Sequence, residues 1–266
     1  MTRRISLTAA IVALPLLLGG CATGQVTDES TPAPGGSTSA APLTGTVTVF
    51  AAASLTGSFG EIETAFEKAN AGVDLVFSYG GSSAIAEQIV QGAPADVFAA
   101  ASPATMTTVT DAGLAKDPSN FATNTLEIAV PAGNAAGVSG LDDFADKGLK
   151  IALCAAEVPC GAAATKVFAA ASITPQPDTL EQDVKAVLTK VELGEADAGL
   201  VYVTDVKAAG AGVEGVEFAG AADAVNDYPI ATIAGSKNAD AAKAFVAYVL
   251  SADGQSVLAA AGFGAP

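Results

Sequence analysis

The sequence predicts an α/β protein with two lobes, preceded by a targeting segment and a tether. Runs of β-branched and apolar residues alternate with stretches of helical apolar spacing, and this alternation starts again after residue 131. The first 44 residues lack the alternation. About 220 residues remain from Leu43 to Pro266, which is enough for two modest lobes, each with mostly parallel strands flanked by helices.

The first twenty residues are typical of a bacterial export signal. Arg3 and Arg4 form a basic start, and the apolar run over 7–18 is too short to span a membrane. Leu18-Gly19-Gly20-Cys21 resembles a lipobox, in which the cysteine is acylated and becomes the mature N-terminus. An ordinary secretory signal with an incidental cysteine is the alternative. The composition of 21–44 predicts a lipidated N-terminus and disordered tether, so we expect an extracytoplasmic protein anchored to the cell membrane.

The first lobe is predicted from residues 45–126 together with 230–266. A β-branched run predicts its first strand, and the helix that follows carries Phe59, Ile62 and Phe66 on one face. Strands are predicted over 46–50, 73–79, 95–100 and 124–131, with a helix after each of the first three and terminal helices over 239–250 and 254–261.

The second lobe is predicted from residues 127–229. Strands are predicted over 149–154, 198–203 and 215–218, helices over 160–171 and 181–193, and a return strand over 228–233. Two crossing segments, near 124–131 and 227–233, are expected to form a hinge. Ligands of such folds bind at the carboxyl ends of strands, near helix N-termini.

Ser54 lies where the first predicted strand gives way to its helix, an N-cap position. A helix N-terminus offers unpaired N–H groups and the positive end of the helix dipole, and a serine hydroxyl adds a donor. Small residues at 51–53 would let a ligand approach the backbone. This stretch therefore indicates either an anion site or a simple helix cap. Similar junctions recur at 81–83, 158–161 and 182–184.

Composition restricts the possible ligands. The net charge is −16, both arginines lie in the signal, and the chain has no histidine and no tryptophan. After the signal, ten lysines face 28 acidic residues, a charge of about −18. Nucleic acid is therefore excluded as a partner, and so is an anion held by an arginine fork. Any bound anion must be held mostly by neutral donors.

Two cysteines, Cys154 and Cys160, remain once Cys21 is assigned to the anchor. An exported location favours a disulfide between them, and two free thiols are the alternative. Two cysteines without histidine do not complete a tetrahedral metal site, so no protein-ligated metal and no cofactor are predicted. A hydrolase is also not predicted, because there is no histidine base and the segment 80–84 lacks the last glycine of a nucleophile elbow. A purely structural surface lipoprotein is a further alternative to a binding protein.

Four blocks, in order, resemble the ModA-type molybdate-binding proteins, which are the substrate-binding components of molybdate ABC importers. They are FAAASLT from Phe50, GAPADVF from Gly92, VPCG from Val158 and GEADAGLVYVTD from Gly194. The resemblance implies a type II periplasmic-binding-protein fold with the ligand in the cleft between the lobes. It also implies a monomer, not an enzyme, that captures molybdate and tungstate and delivers them to an ABC transporter permease. Sulfate or another oxyanion is the alternative ligand.

The resemblance also implies a ligand set. The family holds a tetrahedral oxyanion with two serine hydroxyls, two backbone amides at helix starts and a tyrosine hydroxyl. The matching positions here are Ser54, Ser82, Cys160, Val184 and Tyr202. Ser83 is the alternative to Ser82, and Cys160 departs from the usual alanine at a position where the backbone N–H binds. Taken alone, Tyr202 could be a core tyrosine, and Asp96 and Asp205 are expected to act as caps and turn formers.

Overall fold

The computed structural model describes residues 42–266 and contains two five-stranded sheets. The predicted signal, the anchor at Cys21 and nearly all of the tether lie outside the described residues. In chain order the strands are β1 (Gly45–Ala52), β2 (Val73–Gly80), β3 (Val97–Ala99), β4 (Ser119–Asn124), β5 (Leu126–Pro131), β6 (Ile151–Cys154), β7 (Thr179–Glu181), β8 (Ala198–Tyr202), β9 (Val213–Val216) and β10 (Asn226–Thr232).

Helices flank both sheets. They are α1 (Thr56–Ala69), α2 (Ser82–Val90), α3 (Pro103–Asp111), α4 (Pro159–Ala171), α5 (Val184–Glu192), α6 (Val203–Ala209), α7 (Ala239–Leu250) and α8 (Ala252–Ala261). Within 42–266 no single helix has the length and apolar composition of a membrane span; the bent pair α7 and α8, with a break of 58°, passes by length and composition alone.

The sheet of the first lobe has the strand order β2-β1-β3-β10-β4. Strand β1 pairs parallel with β2 and β3, and β10 runs antiparallel between β3 and β4. Helix α1 buries the predicted face of Phe59, Ile62 and Phe66 against this sheet. The Phe59 ring lies 5.9 Å from the rings of both Phe121 and Phe245, so aromatic side chains from three elements form the core of this lobe.

The sheet of the second lobe repeats this plan with the order β7-β6-β8-β5-β9. Strand β6 pairs parallel with β7 and β8, and β5 runs antiparallel between β8 and β9. Four of the five strands in each sheet therefore point the same way, as predicted. Val187 and Val191 of α5 are fully buried against this sheet, because apolar residues at helical spacing fall on one face.

The chain changes sheet at Thr125. The sequence predicted one strand over 124–131, whereas the structure has β4 ending at Asn124 in the first sheet and β5 beginning at Leu126 in the second. It returns between β9 and β10. The Asn124 side chain donates to the Thr204 hydroxyl, 2.8 Å away, and so joins the lobes beside the first crossing. The predicted lobe limits at 126/127 and 229/230 stay predictions.

One predicted helix begins late. Helix α5 was expected over 181–193 but starts at Val184, because 179–181 pairs with β6 as a short strand and Asp183 caps the helix. The apolar spacing alone could not place this start, since an apolar residue in a short strand also fits a helical pattern.

Candidate functional site

A small cavity lies between the lobes, where strand ends of both sheets meet helix starts. Its first-lobe wall consists of Ala52, Ala53, Ser54, Gly80, Gly81, Ser82 and Ala101. Its second-lobe wall consists of Val158, Pro159, Cys160, Asp183, Val184 and Tyr202. All five predicted ligand positions therefore line one cavity, whereas Ser83, Asp96 and Asp205 do not.

Ser54 is buried beside this cavity but does not cap a helix. A three-residue 3-10 turn, Ala53–Leu55, separates β1 from α1, and α1 begins at Thr56 without a side-chain cap. The predicted N-cap position is therefore wrong, because the extra turn moves Ser54 away from the helix start. Its Oγ instead lies 2.9 Å from the hydroxyl oxygen of Tyr228.

Ser82 is the first residue of α2 and is 1% exposed. Its Oγ accepts a hydrogen bond of 3.0 Å from the backbone N–H of Ala101, in the turn after β3. A hydroxyl that already accepts keeps its own proton for donation. Ser82 can therefore donate into the cavity, while Ser83 lies half-buried outside the lining.

Cys160 is the second residue of α4, where a helix N–H has no intrahelical partner. Within the described chain its N–H has no hydrogen-bond acceptor. Its side chain forms a disulfide with Cys154 at the end of β6. The next residue, Gly161, leaves no room for a Cβ against the carbonyl of Ala155. The first turn of α4 is thus packed tightly on the strand end, and Cys160 lines the cavity.

Val184 supplies a second amide of the same kind. It is the first residue of α5, and its N–H likewise has no acceptor among residues 42–266. The preceding Asp183 is the N-cap, and its Oδ1 accepts from the N–H of Ala186 at 3.0 Å. Although Asp183 lines the cavity, its carboxylate is therefore engaged with its own helix.

Tyr202 ends β8 and is 1% exposed. Its hydroxyl oxygen accepts from the side-chain amide of Asn226 at 3.1 Å. Burial raises the pKa of Tyr202 well above its ordinary value, and neighbouring Tyr228 and Asp205 raise it further. The phenol therefore stays protonated at neutral pH and can donate. Tyr202 is therefore both buried in the core of the second lobe and part of the cavity lining.

Sequence reasoning missed two residues that hold these donors. Asn226 donates to Tyr202 and also to the carbonyl of Ala101, at 2.7 Å, while Tyr228 contacts Ser54. Both belong to β10, which was predicted only as a return strand. The sequence did contain a signal for them. An asparagine and a tyrosine in a buried strand that follows the return of the chain to the first lobe need hydrogen-bond partners.

An ion pair between Lys185 and the buried Asp205 lies next to two of the second-lobe donors, Val184 and Tyr202. Lys185 Nζ lies 2.9 Å from Asp205 Oδ1, and the Asp205 side chain is completely buried. The other oxygen of Asp205 accepts from the backbone N–H of Tyr202 at 3.1 Å. Burial raises the pKa of Asp205 and Lys185 opposes that rise. Asp205 is therefore a helix-start cap, as predicted, and it links the start of α5 to the end of β8.

The cavity presents neutral donors. Among the described lining residues there is no lysine, and the donors are two hydroxyls, one phenol and two amides at the starts of α4 and α5. Helix N-termini attract negative charge through their dipoles and unpaired N–H groups. Within 42–266 no cluster of three or more Cys, Asp or Glu side chains is placed to hold a metal ion. The geometry fits a small oxyanion.

Comparison with known proteins agrees with this chemistry. The family described as bacterial extracellular solute-binding protein matches residues 47–264. The molybdate-binding protein ModA of Mycobacterium tuberculosis strain H37Rv is 41% identical over 265 residues, covering 99% of this chain and 100% of that one. The chain belongs to the ModA-type family of extracellular solute-binding proteins. The predicted family is thereby confirmed, and these ModA-type relatives are named as binding proteins rather than as enzymes.

Solved structures share the fold of this ModA-type chain. The substrate-binding domain of a putative molybdenum ABC transporter from Clostridium difficile is 31% identical, with a TM-score of 0.61, covering 83% of this chain and 99% of that one. The sulfate-binding protein SubI of Mycobacterium tuberculosis H37Rv has a TM-score of 0.74 at 20% identity, covering 82% and 86% of the two chains. The predicted two-lobed α/β binding-protein fold is confirmed.

Proposed function

We propose that this protein binds molybdate, and tungstate in the same way, in the cavity between its lobes. One observation carries the proposal: Ser54, Ser82 and Tyr202, which bear hydroxyls, and Cys160 and Val184, which lie at helix starts, line a single small cavity. Five neutral donors from both lobes suit the four oxygens of a tetrahedral anion, and each bond to a charged group contributes about 1.5–3 kcal/mol.

The donor set favours fully deprotonated anions. Hydrogen phosphate carries a proton that needs an acceptor, and the carboxylate of the cavity lining, on Asp183, already accepts through Oδ1 from the N–H of Ala186. A site whose hydroxyls and amides donate to the anion matches this proton poorly and so discriminates against phosphate. Sulfate carries no such proton, and only the width of the cavity separates it from molybdate. The sulfate-binding fold neighbour makes sulfate the alternative ligand to test.

The same proposal includes delivery to a transporter. The lipobox-like segment supports acylation of Cys21, which would hold the monomeric protein on the outer face of the cell membrane. The similar domain named for a molybdenum ABC transporter supports an ABC permease as the partner. The two crossings of the chain, at Thr125 and before Asn226, provide the hinge about which the lobes close on the anion.

A thermal-shift titration tests the ligand. Residues 42–266 belong to one compact unit, so the chain without the signal and most of the tether is suitable for purification. Each of molybdate, tungstate, sulfate and phosphate is titrated, and a ligand at a hundred times its dissociation constant stabilises the fold by about 2.7 kcal/mol. Stabilisation by molybdate and tungstate alone supports the proposal. Stabilisation by sulfate instead replaces the ligand and keeps the site, and no shift with any of the four contradicts the proposal.

A further inference from the structure

Gly81 lines the cavity at a point where the two lobes approach each other closely. It is buried between β2 and α2 of the first lobe, immediately before Ser82. A Cβ added at this position would overlap the carbonyl oxygen of Gln182, and it would lie 3.6 Å from Val158 Cγ1. Both of these neighbours belong to the second lobe. The backbone of one lobe therefore rests directly on the backbone of the other.

The conformation of Gly81 does not itself require glycine. Its φ of −63° and ψ of 127° are open to any residue, so an alanine here would not strain the chain. The three atoms nearest to the missing Cβ, two of them from Gln182, all lie across the cleft. An added methyl therefore meets nothing closer within its own lobe, and the obstacle arises when the lobes come together.

We propose that Gly81 sets how far the lobes close and thereby fixes the width of the cavity. This inference rests on the proposed function, because it assigns a size-determining residue to the same site. Gly81 directly precedes the donor Ser82, and Gln182 lies two residues before the donor Val184. Contact between Gly81 and Gln182 therefore fixes the distance between a donor of each lobe.

The contact explains how a site of neutral donors can select by size. The anion bridges the lobes, so its oxygens meet both sets of donors only when the lobes stop at the matching separation. A backbone-to-backbone stop is stiff, because the contact is made by the backbone of Gly81 and the carbonyl group of Gln182 and not by a side chain that could turn away. A bulkier residue at 81 would hold the lobes apart, and the anion would keep the donors of one lobe while losing those of the other.

The test compares Gly81→Ala with wild type in the full chain, with Gly60→Ala as the matched control. Gly60 lies on α1 in the same lobe, and a Cβ there has no atom within 4 Å. Isothermal titration uses molybdate, tungstate, sulfate and phosphate, and small-angle scattering measures the radius of gyration with and without anion. Thermal unfolding without anion measures whether the substitution changes the stability of the unliganded protein.

For Gly81→Ala we expect an unliganded unfolding midpoint within about 2 °C of wild type, which means no large change in stability. We expect at least about tenfold weaker binding of whichever anion the wild type binds, and a smaller decrease in radius of gyration on binding. Gly60→Ala should bind as the wild type does. Binding by Gly81→Ala within about twofold of wild type overturns the inference. A fall in the stability of the unliganded variant as large as its loss of binding free energy also overturns it. A wild-type chain that binds none of the four anions overturns the proposed function and this inference together.

Discussion

The hydroxyl oxygens of Ser54 and Tyr228 lie 2.9 Å apart, although 174 positions separate the two residues in the chain. Ser54 follows the first strand, and Tyr228 belongs to β10, which enters the same sheet after the chain has built the second lobe. Tyr228 is fully buried, so its ring and hydroxyl are held by packing. The contact therefore fixes the orientation of Ser54, a predicted anion-binding residue, through Tyr228, for which the sequence predicted no role in the site.

Replacing either serine of the site should weaken molybdate binding. Ser54→Ala and Ser82→Ala each remove a donor to a charged ligand, so we expect a loss of about 1–3 kcal/mol in binding free energy, measured by isothermal titration. Ser83→Ala is the matched control, because Ser83 is next in the chain but does not line the cavity. Unchanged affinity in both site variants would contradict the assignment of these hydroxyls.

Tyr202 should act as a protonated donor up to high pH. Burial raises the pKa of Tyr202 above its ordinary value of 10.0, so the affinity of wild type should not decline between pH 7 and pH 10. Tyr202→Phe should bind more weakly by about 1–2 kcal/mol throughout this range, because the donor is lost. A wild-type affinity that falls between pH 8 and pH 9 would show that the phenol ionises in the folded protein.

The same tyrosine makes the stability of the fold depend on pH in a defined direction. Above pH 10.0 the unfolded phenol loses its proton while the folded one keeps it, so the free energy of unfolding falls as pH rises through that window. Urea unfolding of wild type and Tyr202→Phe at pH 8, 10 and 11 measures this. The decline should be shallower in Tyr202→Phe, and parallel declines would contradict the assigned shift.

The disulfide between Cys154 and Cys160 should stabilise the fold more than it aids binding. It closes a short loop, with a sequence separation of 6, for which chain entropy predicts about 2 kcal/mol in the free energy of unfolding. The double variant Cys154→Ser, Cys160→Ser should lose that amount in urea unfolding. It should bind molybdate nearly as well as wild type, because the backbone N–H of residue 160 remains.

Alkylation followed by mass measurement provides the control for this pair. In the chain lacking residues 1–40, no cysteine should react under denaturing conditions without reductant, and two should react after reduction. Reductant should lower the unfolding midpoint of wild type and leave that of the double serine variant unchanged. Two reactive thiols before reduction would show that the exported protein lacks this disulfide.

Removing Lys185 should destabilise the protein and make its stability depend on acid pH. Lys185→Met leaves the buried carboxylate of Asp205 without its cation. Breaking a buried pair costs about 3–5 kcal/mol, and Lys185 is 32% exposed, so we expect about 1–3 kcal/mol at pH 7. Lys190→Met, on the same helix, breaks longer contacts of 3.6 and 3.7 Å and should cost under about 1 kcal/mol.

The sign of the pH effect follows from Asp205. Burial raises the pKa of Asp205 above its ordinary value of 3.8, and without Lys185 that pKa rises further. Between these values the folded state binds the proton that the unfolded state has lost, so the variant gains stability as pH falls. The deficit of Lys185→Met relative to wild type should therefore shrink from pH 7 towards pH 4 in urea unfolding. A constant deficit would contradict a role for Asp205 charge.

The sequence was sufficient to predict elements whose signals are local. The face of Phe59, Ile62 and Phe66 predicted α1, and the terminal helix over 239–250 has the bounds that the structure gives to α7. Both depend on apolar residues at helical spacing, which act through burial against a sheet. Strand β4 was not predicted, because its sequence over 119–124 is largely polar and small and its pairing depends on β10, more than a hundred residues later.

In the candidate site, too, the features with local sequence signals were predicted and those that depend on distant segments were not. Ser82, Cys160 and Val184 lie at or near helix starts, so the strand-to-helix junctions in the sequence predicted where they are placed. The partners of the donors come from distant segments: Asn226 reaches Tyr202 of the other lobe and Ala101 of its own lobe, and Lys185 pairs with Asp205. Such pairings follow from tertiary packing, which local pattern does not encode.

The position of β10 also governs the order in which this chain can fold. Within the described strands, β4 pairs with β10 alone, and β10 fills the gap between β3 and β4. The second sheet is complete by Val216, whereas the first waits for residues 226–232. As the chain leaves an export channel from its N-terminus, the lobe that is encoded in the middle can therefore mature first. The lobe that begins the chain stays open along β3, a site for mispairing, until nearly all of the protein has been translocated.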